Sequence, residues 1–207
     1  MSADRTLVVG WLSDLAAELV VDELDRRDVE KRLAAAPALD AEGFAVEILS
    51  LMRIIAESVD APSGFDRFTA PATLDIPTGD AFTILLAVGL SVAAVKVDWP
   101  SRPLARTARS RIAAAGESGL AAVSRMGGEG TALHAWLSNI VSVSVRVVSE
   151  IAANAVPVVR VATKLSLPST VLAYQLYGNA ARAEGLVEIA GSATPLLMPA
   201  SFEALAN

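Results

Sequence analysis

The chain has 207 residues, of which 53% are apolar and 5% aromatic, and its formal net charge is −6. That length holds one large domain, or a medium domain with a small module. The acid excess argues against binding a phosphate backbone, which Lys and Arg must neutralise, and the lack of cysteine excludes disulfides, thiolate nucleophiles and Cys-based metal sites.

The apolar run opening at Leu7 is broken by Ser13 and Asp14 with no cleavage signal, so no secretory leader is expected. Val8, Trp11, Leu12, Leu15 and Leu19 recur at helical spacing and predict a first helix with one apolar face. Asp22 to Arg32 is dense in both charges, with Glu23–Arg27 and Asp28–Arg32 four apart and acid first. It reads as a solvated helix end, stopped at Pro37. Asp40 can cap the next helix by accepting first-turn N–H groups, and Phe44, Ile48, Leu51, Met52 and Ile55 form its buried face. From Asp60 to Asp80 periodicity fails, and Pro62, Gly64, Pro71, Pro77 and Gly79 punctuate the stretch. An irregular boundary or extended arm is expected there. Its Phe65 and Phe68 either anchor on a neighbour or, the favoured reading, pack back on their own domain.

A third helix is expected from Asp80 to about Val97. Its apolar stretch, Phe82 to Val97, falls short of the roughly 20 residues that span a bilayer, and Lys96 and Asp98 close it. A core helix is therefore favoured over a membrane span. Ser101 followed by Pro103 marks another helix start. Arg102, Arg106 and Arg109 share a face of that helix, with Arg111 nearby and no acid between them. This is either a solvated basic face or a docking patch for an acidic neighbouring subunit. Gly127, Gly128 and Gly130 make a break that lacks phosphate-loop spacing. Over residues 131 to 153, Leu133, Trp136, Leu137 and Ile140 have helical spacing, whereas Val141, Val143, Val145 and Val147 alternate with Ser142, Ser144 and Arg146. Alternation is a strand signature. The absence of turn residues around it favours one long helix.

Catalytic chemistry is hard to assemble from this inventory. The single histidine, His134, sits in an apolar helical stretch beside Trp136, and reads as a core or surface residue rather than a general base. One His without Cys makes no ordinary zinc site, and no acidic loop has calcium-binding spacing. The expectation is a protein that is not an enzyme and carries no metal or cofactor.

The C-terminal segment is the most informative. Pro168 and Ser169 open a short helix with Ala173, Leu176 and Tyr177 on one side. Gly178 and Asn179 can take the left-handed backbone that ends it. A second short helix follows from Ala180 to about Ile189, stopped by Gly191. Pro195 and Pro199 punctuate the tail, and Phe202 to Leu205 reads as a short closing strand. Pro168, Leu172, Ala173, Tyr174, Leu176, Tyr177, Gly178, Ala181, Arg182, Ala183, Pro199 and the Glu203–Leu205 ending resemble the C-terminus of the Mu-like phage DNA circularisation (DNA circulation) protein family, with Val187 a looser match. The Tyr–Gly–Asn core between two helices also resembles a LysM-type module.

The resemblance covers about forty residues; upstream it reduces to an Ala-rich helical region ending at Pro157. It implies a structural part of a contractile tail: a baseplate or tube-associated ring, assembled from copies of itself and other tail proteins. The implied location is the virion, by way of the host cytoplasm. LysM-like modules in baseplates imply a protein–protein clamp, with Tyr174, Tyr177, Gly178, Asn179 and the Arg102, Arg106, Arg109 face as interaction residues. Gly191 stands where the LysM pattern has Asn, and Pro199–Ala200 where it favours Pro–Gly. Those departures weigh against the alternative of peptidoglycan binding. A membrane-associated phage protein is a second alternative, and no specific nucleic-acid partner is expected. The sequence thus predicts a mainly α protein: an N-terminal helical segment (1–60), an irregular connection (61–79), a bundle-like central helical region (80–165) and a LysM-like module (166–207) of helix–turn–helix plus short strand.

Overall fold

The fold was read from a computed structural model that describes residues 3–206. It is mainly α, as the periodicity predicts. Helices α1 (Arg5–Leu19), α2 (Glu23–Ala35) and α3 (Ala41–Glu57) each begin at an aspartate whose carboxylate accepts first-turn N–H groups: Asp4, Asp22 and Asp40. Such caps satisfy donors that have no partner inside the helix. The expected faces of α1 and α3 are buried in full, from Val8 to Leu19 and from Phe44 to Ile55. Arg32 of α2 donates to Glu47 of α3 at 2.7 and 3.1 Å.

The stretch expected to be irregular is partly ordered. It holds the short helix α4 (Pro62–Asp66), and α5 (Ile76–Lys96) begins before Asp80, capped by Asp75 with Pro77 in its first turn. Proline costs nothing in a first turn because its missing N–H would have no partner there, so Pro77 and Gly79 punctuate no loop. Phe65 and Phe68 are both 1% exposed, packed back on their own domain. Phe65 meets Trp99 edge to face, as Trp11 meets Phe82, each at 5.2 Å between ring centres.

Helices α6 (Arg102–Ser124) and α7 (Thr131–Asn154) follow. The valine-serine alternation is helical, as favoured. Its burial follows a three-and-four spacing, with Leu137, Ser144 and Val148 inside and Val143 outside. Alternation in sequence was incidental, because Val and Ser fall on both sides of the helix. Glycines let the helices approach closely: a Cβ added at Gly116 would lie 2.5 Å from Val141, and one at Gly119 would lie 2.9 Å from Ala87.

The chain then forms β1 (Val158–Ala162), α8 (Ser169–Tyr177), α9 (Ala183–Ala190) and β2 (Ser201–Leu205). The strands pair antiparallel, Val158 opposite Leu205 through Ala162 opposite Ser201. Leu172, Ala173, Ala183, Leu186, Met198, Phe202 and Ala204 make a core of their own.

Compact units divide the chain differently from the expected segments. The first runs through Trp99 and resumes over Leu104–Ile151; the second joins Pro100–Pro103 to the residues from Ala152 onward. Residues 61–79 lie inside the first unit and separate nothing. The C-terminal module begins earlier than 166, because β1 belongs to it and supplies the partner of the closing strand.

Candidate interaction surfaces

The turn at Tyr177 is held by its own fold. The Tyr177 hydroxyl accepts the Leu205 N–H at 3.0 Å, tying the end of α8 to β2. The Arg182 guanidinium lies 4.4 Å over the Tyr177 ring, a favourable cation–π position. Gly178 takes φ +68° and closes α8 by donating to the Tyr174 carbonyl. Asn179 accepts the Ala181 N–H at 2.9 Å and starts the next turn. Of the four residues expected at this site, Tyr177, Gly178 and Asn179 therefore have internal structural work. Tyr174 is 66% exposed and free to meet a partner.

A further exposed surface of this unit is not among the residues expected from the sequence. The β1–α8 and α9–β2 loops are laced together: Ser169 N–H donates to Pro195 O at 2.8 Å, Met198 N–H to Leu167 O at 3.0 Å, and Thr163 N–H to Ala200 O at 2.7 Å. Ser166 also donates its hydroxyl to Met198 O. From this braced pair Leu165, Leu196 and Leu197 project, 69%, 71% and 64% exposed. The available signal was Leu196–Leu197 between Pro195 and Pro199, a pair of large apolar residues in a loop with no periodicity to bury them.

The arginine face separates into different roles. Arg102 donates its backbone N–H to Val156 O at 3.0 Å and its guanidinium to Ala153 O at 3.1 Å. It thereby satisfies carbonyls at and just beyond the end of α7. Arg111 pairs with Asp66 and lies 4.6 Å over the Phe65 ring. Arg106 and Arg109 remain exposed, with no ion pair among the described residues. The expected grouping of Arg102 with Arg106 and Arg109 thus keeps only two members available to a partner.

Two of the depressions within the first unit are lined mainly by apolar residues. One, of about 390 Å³, is lined by Phe44, Ile48, Ile84, Leu85, Met126 and Leu133. Its charges are already engaged. Arg5 donates to Pro37 O and lies 4.7 Å over Phe44, and Arg125 pairs with Asp80. The hydrogen bond to Asp80 raises the Arg125 pKa. The other, about 320 Å³, lies between α5 and α7, lined by Val92, Val95, Lys96, Asn139, Ile140 and Val143. Beside it the outer face of α7 shows Trp136 and Val143, 41% and 39% exposed. Ser91 Oγ is buried at its floor with no partner among the described residues.

Both α5 and the segment Gly127–Asn154 are long and apolar enough to cross a membrane by length and composition. The most apolar window of α5 is 61% buried by the protein, that of the second only 22%. This makes α5 a core helix and leaves α7 with an uncovered apolar side. His134, also on α7, is exposed. No family model matches the chain, and no curated protein matches it.

Proposed function

We propose that this protein is a structural component of a phage contractile tail, a baseplate or tube-associated ring in which the C-terminal unit acts as a protein–protein clamp. The observation that carries the reading is the folding of the segment with the family resemblance. Leu167 to Leu205 contains two short helices joined at Gly178–Asn179 and a closing strand, packed with β1 on a separate core. The order strand, two helices, strand supports the LysM-like arrangement that the resemblance implies. The exposed side chains on the braced loops support a clamp over a glycan site. Leu165, Leu196 and Leu197 are aliphatic and offer neither rings to stack on sugars nor hydrogen bonds to hydroxyls. The molecule presents apolar surface that partner subunits can cover.

Immuno-electron microscopy of tail particles from the producing cell tests the proposal. Label confined to one region of the tail is the expected result. Tails that never carry label, or label on the cell envelope instead, would refute it. A pull-down on insoluble peptidoglycan separates the clamp from the glycan alternative, since retention of the wild-type chain would favour the latter.

A further inference from the structure

We infer that the pocket between the first halves of α3 and α5 binds a small aliphatic carboxylate, with the alkyl chain between the helices and the carboxylate on Arg5. The pocket lies wholly within the first unit, so the inference goes beyond the assembly reading and does not rest on it.

Three observations carry it. The first is the lining. The pocket holds about 390 Å³, inside the roughly 300–1,000 Å³ of small-molecule sites, which helical bundles place between their helices. Phe44 and Ile48 of α3, Ile84 and Leu85 of α5, Met126 and Leu133 form its apolar walls. None of these side chains can hydrogen-bond to a hydroxyl, so a sugar or nucleotide held against them would leave polar groups unpaired, whereas a hydrocarbon chain loses nothing there. The second is charge. Among the pocket's lining residues two cations, Arg5 and Arg125, face one carboxylate, Asp80, a net of +1 in a chain of −6. Both arginines are hydrogen-bonded, but only Arg125 is neutralised, by Asp80. Arg5 donates through Nη1 to the carbonyls of Pro37 and Leu39, and no ion pair is formed by it among the described residues. The nearby carboxylates of Asp4, Asp40 and Asp75 accept first-turn N–H groups of α1, α3 and α5, and none of them lines the pocket. Each offsets the positive end of its own helix, which leaves Arg5 as the unmatched charge. The third is placement. The Arg5 guanidinium lies 4.7 Å over the Phe44 ring, so the cation sits against the apolar wall, as a charged head beside a hydrocarbon tail requires. Its Nε and Nη2 have no acceptor among the described residues, and that edge of the guanidinium matches the two oxygens of a carboxylate.

Equilibrium dialysis of the full-length chain against octanoate, decanoate, decanol and decylammonium, each below its micelle concentration, tests this. Saturable one-to-one binding of decanoate is expected. Each buried methylene tightens binding about fourfold, so decanoate should bind roughly tenfold more tightly than octanoate. Decanol and decylammonium should each bind about tenfold more weakly than decanoate, or worse. The decylammonium arm separates a site from mere adsorption, because an acidic chain that only adsorbs amphiphiles takes up the cation first. Arg5→Gln should abolish the preference for decanoate over decanol, and Arg5→Lys should keep it. Ala45→Trp fills the pocket from an exposed position on its lining and should weaken decanoate about tenfold or more. Circular dichroism checks folding, and Ala81→Phe takes the place of Ala45→Trp if that variant unfolds. No saturable uptake of decanoate, or uptake unchanged in the folded filling variant, would overturn the site. Decanol or decylammonium bound as tightly as decanoate by the wild-type chain would overturn the carboxylate as its ligand.

Discussion

Replacing Gly119 by Ala tests how closely α5 and α6 pack. A Cβ there would sit 2.9 Å from the Ala87 Cβ and 3.2 Å from Leu137 Cδ2. Carbon atoms prefer about 3.5–4.0 Å, so the helices must part by roughly 0.6–1 Å. Leu137 can rotate, but the Ala87 Cβ is fixed to the α5 backbone and cannot. Overpacking of this kind costs about 1–3 kcal/mol. Against it stands the helix-propensity gain of Gly to Ala, about 1 kcal/mol. Gly10 in α1 provides the control, since nothing lies within 4 Å of its added Cβ. The propensity gain is common to Gly10→Ala and Gly119→Ala, so the difference between them isolates the steric cost. Gly10→Ala should raise stability by up to about 1 kcal/mol, and Gly119→Ala should fall below it by about 1–3 kcal/mol. Tryptophan fluorescence in a urea titration reads the right unit, because Trp11, Trp99 and Trp136 all belong to the first. A Gly119→Ala midpoint at or above that of Gly10→Ala, with equal slope, would refute the close approach.

Three further outcomes follow from individual contacts. Its hydrogen bond to Arg32 lowers the Glu47 pKa from 4.5, so this carboxylate stabilises the fold above the ordinary carboxylate range and loses that effect as pH falls through its folded value. Glu47→Gln should therefore cost about 1 kcal/mol near neutral pH, and urea titrations should show the difference from wild type vanishing in strong acid; a difference that grows on acidification would contradict this. Tyr177→Phe removes the acceptor for the Leu205 N–H, which should cost about 1 kcal/mol and accelerate hydrogen exchange at that amide; unchanged protection would show that the bond is not formed. Leu186→Ala empties a site 1% exposed in the small core, with an expected cost of about 2–5 kcal/mol. The C-terminal amides should lose protection while tryptophan fluorescence stays native, and a simultaneous loss in both units would contradict independent cores.

Much of the helical framework was legible because it rests on two local signals. Apolar residues three and four apart marked the inner faces of α1 and α3, and Asp40 marked a helix start. Gly178 and Gly191 both take positive φ at the helix ends where they were expected. What escaped depends on contacts distant in sequence. β1 has only Val158 and Val161 half-buried, so no period of two exists to be read, and its strand character comes from pairing with residues 201–205. Arg111 looked like part of an uninterrupted basic cluster because its acid, Asp66, lies on α4. Similarly, Tyr177 was expected to face a partner, but the group it meets is the backbone of its own last strand. The braced leucine loops arise from hydrogen bonds between segments roughly thirty residues apart, and nothing local announces them.

On the proposed function, the exposed apolar surfaces exist to be covered by further copies of the chain. Light scattering on the purified wild-type protein over a wide concentration range tests it most directly. The molar mass is expected to climb well above that of one chain and to plateau at a closed multiple of it. A constant single-chain mass up to the highest concentrations reached would contradict it.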